Sequence, residues 1–100
     1  MQITTTKGNY SGSANDCQAW LDEYQPSHAS VEIGGVSATI DDDLKASWVE
    51  AANQLLLDAG IGYEYSLTED GDIRANESIL VEDWDTMTEH DIRGIGRCQN

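Results

Sequence analysis

The residues whose spacing first suggests metal chemistry are Asp70 and Asp72, which begin a pattern typical of a calcium-binding loop. Such a loop needs another oxygen ligand two residues on, a glycine at its sharp turn and a bidentate glutamate at its end. Arg74, Ala75 and Val81 stand at those three positions instead. The sequence therefore argues against an EF-hand in this segment.

Other chemistry-bearing residues also lack the spacing that catalysis or metal binding needs. Asp83, Asp85 and His90 match no helical metal motif, so a solvated acidic face is the favoured interpretation. Neither His28 nor His90 lies in a frame where a base would activate a serine or cysteine nucleophile. Gly94-x-Gly96 lacks the third glycine and the following helix of a phosphate loop. We expect a protein that is not an enzyme and needs no cofactor.

Charge is the dominant property of the chain, which has 19 Asp and Glu against 5 Lys and Arg, a formal net charge of −14 in 100 residues. The phosphates of nucleic acids and anionic membranes would both repel such a molecule, whereas a basic protein surface would attract it. The clustering is strongest in segment 64–91, whose ten acidic residues are Glu64, Glu69, Asp70, Asp72, Glu77, Glu82, Asp83, Asp85, Glu89 and Asp91.

This clustering suggests mimicry of DNA. Duplex DNA carries one negative charge per ~1.7 Å of its axis, and proteins that bind it line a groove with Lys, Arg and backbone N–H groups. A rigid scaffold that holds carboxylates at comparable spacing can occupy such a groove without being a substrate. The sequence therefore predicts a partner that is itself a basic nucleic-acid-binding protein.

Within the acidic segment, the run Asn76-Glu77-Ser78-Ile79-Leu80-Val81-Glu82-Asp83-Trp84-Asp85 resembles the central element of phage-encoded uracil-DNA glycosylase inhibitors. Those inhibitors carry a Glu-Ser-Ile(-Leu) edge strand that leads into an acidic helix start. The resemblance covers residues 77–93 and implies a strand that enters the DNA-binding groove of the glycosylase. It also implies a hydrophobic pocket for the apolar side chain that the enzyme inserts into the minor groove.

The resemblance assigns roles to the four residues of the motif itself. Glu77 and Ser78 would bind the part of the enzyme backbone that contacts DNA phosphates. Ile79 would anchor the strand, and Leu80 would help to line the hydrophobic pocket. All four would therefore lie at the interface with the glycosylase.

Residues after the motif complete the predicted interface. Asp85, or its neighbour Asp83, would supply a second phosphate-like charge, and Glu82 belongs to the same acidic run. Three residues are further pocket candidates by position rather than by motif: Trp84, Met87 and Ile92. For these three, ordinary core packing is the alternative interpretation.

Two other functions fit the same composition. A phage anti-CRISPR or antirestriction protein would present its carboxylates to a Lys/Arg channel for DNA or guide RNA. Its charge would be spread over the surface, and no single strand would dominate the interface. An acidic structural or adaptor protein of a salt-adapted cell would need no basic partner, because its carboxylates would serve hydration.

Length and composition predict one domain, residues 1–100. The protein is expected in the cytoplasm, for the reasons that the N-terminus and the cysteines give. The N-terminus has no basic stretch followed by an apolar run, and no segment approaches the ~18 apolar residues of a membrane span. Cys17 and Cys98 are too few for a disulfide framework, and we expect thiols. The protein is expected as a monomer, or as a homodimer paired through an exposed edge at residues 77–82.

The elements that position the N-terminal residues follow from spacing and turn signals. Residues 2–6 predict a strand, residues 7–9 a turn, and a second arm through Tyr10 is compatible with both. A helix is expected from Ser13, with Asp16 as its capping partner, up to Pro26. Its apolar face consists of residues at helical spacing, namely Cys17, Trp20, Leu21 and Tyr24.

The middle of the chain predicts a hairpin and the main helix. Residues 30–40 have β-branched arms around Gly34-Gly35, a pair that suits a tight primed turn. Asp41-Asp42-Asp43 then favours a helix start, and Gly60 favours its end. The buried face is expected at residues spaced by three and four, namely Leu44, Trp48, Ala51, Ala52, Leu55 and Leu56.

The C-terminal part predicts strands at 62–67 and 73–82 around a turn at 69–72. Thr86 with Glu89 could open a short closing helix through Ile92. The whole pattern indicates an α+β domain, with an antiparallel sheet of about five strands and two main helices packed on one face. A short C-terminal helix is compatible with this arrangement.

Overall fold

The computed structural model describes residues 1–41 and 43–94. The strands and helices in these residues are β1 (Gln2–Thr5), β2 (Gly8–Ser11), α1 (Ala14–Tyr24), β3 (Ala29–Ile33), β4 (Val36–Thr39), α2 (Leu44–Asp58), β5 (Tyr65–Leu67), β6 (Ile73–Ala75), β7 (Ile79–Leu80) and α3 (Glu89–Arg93). The predicted α+β class is confirmed. The strands form two antiparallel sheets, of four and three strands, rather than one of about five. Local spacing does not encode this division, because it depends on contacts between distant segments.

The four-stranded sheet has the order β2-β1-β3-β4 and turns one apolar face toward the helices. Ile3, Val31 and Ala38 lie opposite one another across three strands, and all three are buried. The predicted second arm is β2, in which Tyr10 pairs with Ile3. Since side chains alternate along a strand, this row defines the core face of the sheet. The main helix α2 packs against β3 and β4.

The predicted hairpin at residues 30–40 is confirmed as β3 and β4 joined by two glycines. Gly34 and Gly35 have φ values of 54° and 85°, and a type I′ turn requires positive φ at both positions. A Cβ atom at Gly34 would lie 2.7 Å from the side chain of Glu89, whereas one at Gly35 would meet no described atom within 4 Å. The turn therefore lies against the start of α3.

The first helix begins and ends as predicted. Ser13 caps it, since its Oγ accepts a hydrogen bond from the N–H of Asp16 at 3.2 Å. The cap at the other end is Gln25, in the left-handed conformation with φ 45°, immediately before Pro26. Cys17 is fully buried in the shared core, and its burial raises the pKa of the thiol.

The main helix α2 also begins and ends as predicted. Asp43 caps it through a hydrogen bond from the N–H of Lys45 to Oδ1 at 2.9 Å. The apolar face is confirmed, because every residue predicted for it is buried. The helix ends in a Schellman motif, in which Gly60 donates to the Leu57 carbonyl at 3.1 Å and Ile61 donates to the Leu56 carbonyl at 2.9 Å.

The three-stranded sheet, β5-β6-β7, is held to α2 by the side-chain amide of Asn53. Its Oδ1 accepts from the N–H of Tyr65 at 2.7 Å, and its Nδ2 donates to the carbonyl of Tyr65 at 2.9 Å. The ring of Trp48 meets those of Tyr65 and Trp84 edge on, with centroids 5.2 and 5.6 Å apart. Both sheets therefore share one core. The strand predicted at 62–67 begins only at Tyr65.

The predicted closing helix is present but starts later. Thr88 caps α3 in a capping box with Asp91, and the N–H of Thr88 donates to the Asp91 carboxylate at 3.0 Å. Thr86 lies instead in a 3₁₀ turn, where its hydroxyl donates to the carbonyl of Asp83 at 2.9 Å. The predicted pairing of Thr86 with Glu89 is therefore wrong, because Thr88 and Asp91 have the same spacing and take the cap.

Three residues named above, Asp42, Gly96 and Cys98, lie outside the described residues. Among the helices of residues 1–41 and 43–94, none combines the length and the apolar character needed to cross a membrane.

Candidate protein-binding surface

The segment predicted as one strand, 73–82, is a hairpin of β6 and β7. The N–H of Ser78 donates to the carbonyl of Ala75 at 3.3 Å, and Asn76 and Glu77 have φ values of 51° and 67°. These features match a type I′ turn, and since Ala75 pairs with Ile79, residues 76–78 form a three-residue loop. The prediction of a continuous strand is wrong because Asn76 tolerates the left-handed conformation and the chain reverses there. Glu77 and Ser78 therefore lie in a turn.

Strand β7 lies at the edge of its sheet and exposes two large aliphatic side chains. Ile79 and Leu80 are 37% and 44% exposed, and they pair with Ala75 and Arg74 of β6. Adjacent apolar side chains on an edge strand are a typical contact surface for another protein. The edge position implied for Ile79 and Leu80 is therefore observed.

A cleft of about 180 Å³ opens beside this strand, and we call it the Leu80 cleft. Its lining includes the apolar side chains of Ile79, Leu80 and Met87, together with the carboxylates of Asp83 and Asp91. Apolar walls bordered by carboxylates suit an apolar side chain that projects from a basic surface. Met87 is thus the one of the three candidate pocket residues that lines this cleft.

The carboxylate of Asp91 is fixed at this cleft by the cap of α3. Hydrogen bonds from the backbone N–H and the hydroxyl of Thr88 hold the pKa of Asp91 below its ordinary value. Both bonds go to Oδ2, at 3.0 and 3.2 Å. The cleft therefore keeps a negative charge at neutral pH.

Asp85 has a structural partner within the protein. Its Oδ2 accepts a hydrogen bond from the N–H of Ala14 at 3.0 Å, at the first turn of α1, where the helix dipole favours negative charge. The amino group of Met1 donates to the backbone carbonyl of Asp85 at 3.2 Å. Asp83 is exposed and lines the Leu80 cleft. Asp85 is therefore engaged in a contact within the protein, whereas Asp83 lies at the Leu80 cleft.

Trp84 and Ile92 belong to the core. Trp84 packs against Trp48, and only a narrow part of it borders a neighbouring depression beside Leu80 and Glu82. Ile92 is fully buried. The prediction that Ile92 lines the pocket is wrong, because the apolar face of α3 turns inward, and for both residues the alternative of core packing applies.

The cationic side chains leave most carboxylates without a neutralising partner. Lys45 donates to the carbonyl of Gly71 at 2.8 Å, and Arg74 donates to the carbonyl of Ser78 at 3.3 Å. Within residues 1–41 and 43–94, Arg93 with Glu89 forms the only ion pair, at 2.7 Å. Two of the few cations are thus used on backbone carbonyls, so the negative charge remains available to an external partner.

A second cleft, which the sequence analysis did not predict, lies at the end of α2. It has a volume of about 420 Å³, and we call it the Leu57 cleft. The residues that define its walls and rim are Asn53, Leu57, Ile61, Tyr63, Glu64 and Glu77. Leu57 is 72% exposed, since it lies off the buried face of the helix. The sequence contains one signal for this exposure. Leu57 follows Leu55 and Leu56 but lies outside the three- and four-residue spacing of the buried face of α2.

In the part of the chain that the structure describes, no group of three or more His, Cys, Asp or Glu side chains is placed to hold a metal ion, and this includes the neighbourhood of Asp83 and His90. Comparisons with protein-family models, curated proteins and solved structures find no match for the chain.

Proposed function

We propose that the protein is a DNA-mimicking inhibitor, not an enzyme, that occupies the DNA-binding groove of uracil-DNA glycosylase and blocks uracil excision. The observation that carries the proposal is the Leu80 cleft, an apolar opening on an edge strand that exposed carboxylates surround. A mimic of DNA needs negative charge to enter a basic groove. An apolar pocket adds binding energy that depends little on salt.

The dimensions and charge of the molecule support this proposal. The protein measures 43 × 28 × 18 Å, so its long axis corresponds to roughly a dozen base pairs at ~3.4 Å each. Glu77, Glu82 and Asp83 are exposed along the hairpin and the segment that follows it. They can meet Lys, Arg and backbone N–H groups that otherwise bind phosphates.

The proposed contacts differ from those of a flat strand. Glu77 and Ser78 project from a turn and would reach the phosphate-binding backbone of the enzyme from the tip of the hairpin. Ile79 and Leu80 would lie against the groove, and the Leu80 cleft would accept the apolar side chain that the enzyme inserts into DNA. The inhibitor would act in the cytoplasm of the host cell as a monomer, or as a homodimer paired through β7.

A second function, inhibition of a CRISPR or restriction complex, is favoured by the spread of charge. Exposed carboxylates also occur far from the hairpin, among them Asp22, Glu32, Glu50 and Asp58. A Lys/Arg channel for DNA or guide RNA could bind such a surface through many distributed carboxylates and would not need one particular strand.

The deciding experiment measures uracil excision from a labelled oligonucleotide by a bacterial uracil-DNA glycosylase while this protein is titrated from substoichiometric to excess. We expect tight, stoichiometric inhibition. Leu80→Asp should weaken it at least about tenfold, since it places a charge in an apolar contact. Glu69→Ala, in a turn outside the cleft, is the matched control and should change little.

Either of two results would contradict the proposal. No inhibition at micromolar excess would exclude this target and direct the assay to CRISPR and restriction nucleases. Equal, small effects of Leu80→Asp and Glu69→Ala would replace the cleft with distributed electrostatics. Thermal melts of both variants would establish that the fold is intact.

A further inference from the structure

The Leu57 cleft combines two features that together specify a ligand. Its apolar wall is formed by Leu57, Ile61 and Tyr63, and its rim carries the carboxylates of Glu64 and Glu77. Its volume of about 420 Å³ falls within the ~300–1,000 Å³ of typical ligand pockets. We infer that this cleft receives an arginine side chain from the basic partner. The inference rests on the proposed function only in taking that partner to be a basic nucleic-acid-binding protein.

The backbone holds the two carboxylates on one rim. The N–H of Asn76 donates to the carbonyl of Glu64 at 2.8 Å, which continues the pairing of β5 with β6 and places Glu64 beside the turn. Glu77 follows Asn76 in that turn. Both residues therefore line the same cleft, where a single cation can interact with both carboxylates.

Hydrogen bonds fix the walls of the cleft. Asn53 is fixed by its two hydrogen bonds to Tyr65. The Schellman motif fixes the backbone of Leu57 and Ile61. The site therefore needs little rearrangement to bind, which lowers the entropic cost of association.

An arginine fits these walls better than a lysine does. The guanidinium group is planar and weakly hydrated, stacks on aromatic rings such as that of Tyr63, and binds carboxylates through two parallel hydrogen bonds. Its methylene groups can cover Leu57, which is 72% exposed. A second copy of this chain is disfavoured as the occupant, because its formal charge of −14 would oppose the same acidic rim.

The test is an NMR titration of the full-length, isotopically labelled protein with a Gly/Ser peptide that contains three arginines. We expect saturable shifts of the Leu57 and Ile61 methyl signals. Peptides with lysine or neutral citrulline in place of arginine should bind several-fold more weakly or not at all. Glu64→Gln and Glu77→Gln should each raise the Kd about fivefold, as expected when one charged hydrogen bond is lost. Glu69→Gln is the matched control and should leave the Kd within about twofold.

Three outcomes would overturn the inference: methyl signals that do not move, equal binding of the lysine peptide, and shifts that depend on protein concentration without any peptide. The last would identify a second copy as the occupant. The uracil-excision assay separates this inference from the proposed function. If Leu57→Ser binds the peptide poorly yet inhibits the glycosylase normally, the cleft is irrelevant to that target. If the glycosylase is not inhibited but the arginine peptide enters the cleft, only the target is wrong.

Discussion

The two hairpins that flank α2 differ in loop length and in turn residues. The first has a two-residue loop, since Ile33 pairs with Val36, and the second has a three-residue loop, since Ala75 pairs with Ile79. Both reverse the chain through two residues with positive φ, Gly34-Gly35 in one and Asn76-Glu77 in the other. Glycine takes this conformation without steric cost, and asparagine tolerates it, but glutamate does not favour it. Glu77 therefore has a backbone conformation that glycine would adopt without strain.

The difference shows which hairpin serves the fold and which one carries the candidate interface. The Gly34-Gly35 turn lies against Glu89 of α3 and contributes to packing. The Asn76-Glu77 turn is exposed and lies between the two clefts. The backbone of Glu77 has a left-handed conformation that is unfavourable for glutamate. Backbone strain that persists at an exposed position is typical of a functional residue.

Both hairpins depend on a single core, so Trp48→Ala should have the largest effect and should destabilise both. Trp48 is buried and contacts Tyr65 and Trp84. Its truncation should cost about 3–5 kcal/mol, a large part of the stability of a small domain. Urea denaturation followed by circular dichroism and by tryptophan fluorescence would measure the loss. Separate transitions for the two signals would show that the sheets unfold independently.

Asn53→Ala should loosen the three-stranded sheet selectively. The variant loses both hydrogen bonds to the backbone of Tyr65, at a cost of about 1–3 kcal/mol. Hydrogen exchange should become faster in β5 and β6 and remain slow in β1 and β3, because the four-stranded sheet does not use this amide. Uniformly faster exchange would mean that the two hairpins are not separable units.

At the other hairpin, Gly34→Ala and Gly35→Ala should each cost about 1–2 kcal/mol, because alanine is strained at positive φ. Gly34→Ala should cost a few tenths of a kcal/mol more, since its Cβ atom would displace the Glu89 side chain from its ion pair with Arg93. Thermal melts would measure both. Adding Glu89→Ala should remove the difference between the two variants, and a difference that persists would place its cause in the backbone.

Residue spacing and turn residues predicted those elements that depend on contacts between residues close in the sequence. The spacing of Leu44, Trp48, Ala51 and Leu55 fixed the buried face of α2, and Gly34-Gly35 fixed the first hairpin. The second hairpin was not predicted, because the β-branched and aliphatic residues on both sides of Asn76 resemble one strand and a single asparagine is a weak turn signal.

Other features of the candidate site depend on contacts that sequence spacing does not reveal. Asp85 bonds to Ala14, which is 71 residues away in the chain. Glu64 and Glu77 share a rim only because β5 pairs with β6. The acidic segment and the edge position of Leu80 were therefore predictable, whereas the assignment of each carboxylate to structure or to surface was not.

The smallest expected effect on stability is that of Glu77→Gly, and it tests most directly whether the two hairpin turns differ in strain. The variant should increase the free energy of unfolding by about 0.5–1 kcal/mol. Glycine removes the strain at φ 67°, and this gain exceeds its greater loss of chain entropy on folding. Glu77→Ala keeps the strain and should leave stability nearly unchanged. Both variants remove the carboxylate and should weaken inhibition of the target to the same extent, in chemical denaturation and excision assays run in parallel.

A residue whose replacement stabilises the fold while it weakens binding is present for binding. If Glu77→Gly instead lowers stability, the turn is not strained at Glu77 and the two hairpins do not differ in strain. If the variant is more stable yet inhibits normally, the strain has no functional role, and the interface would have to be centred on Leu80 and Asp83 rather than on the tip of the hairpin.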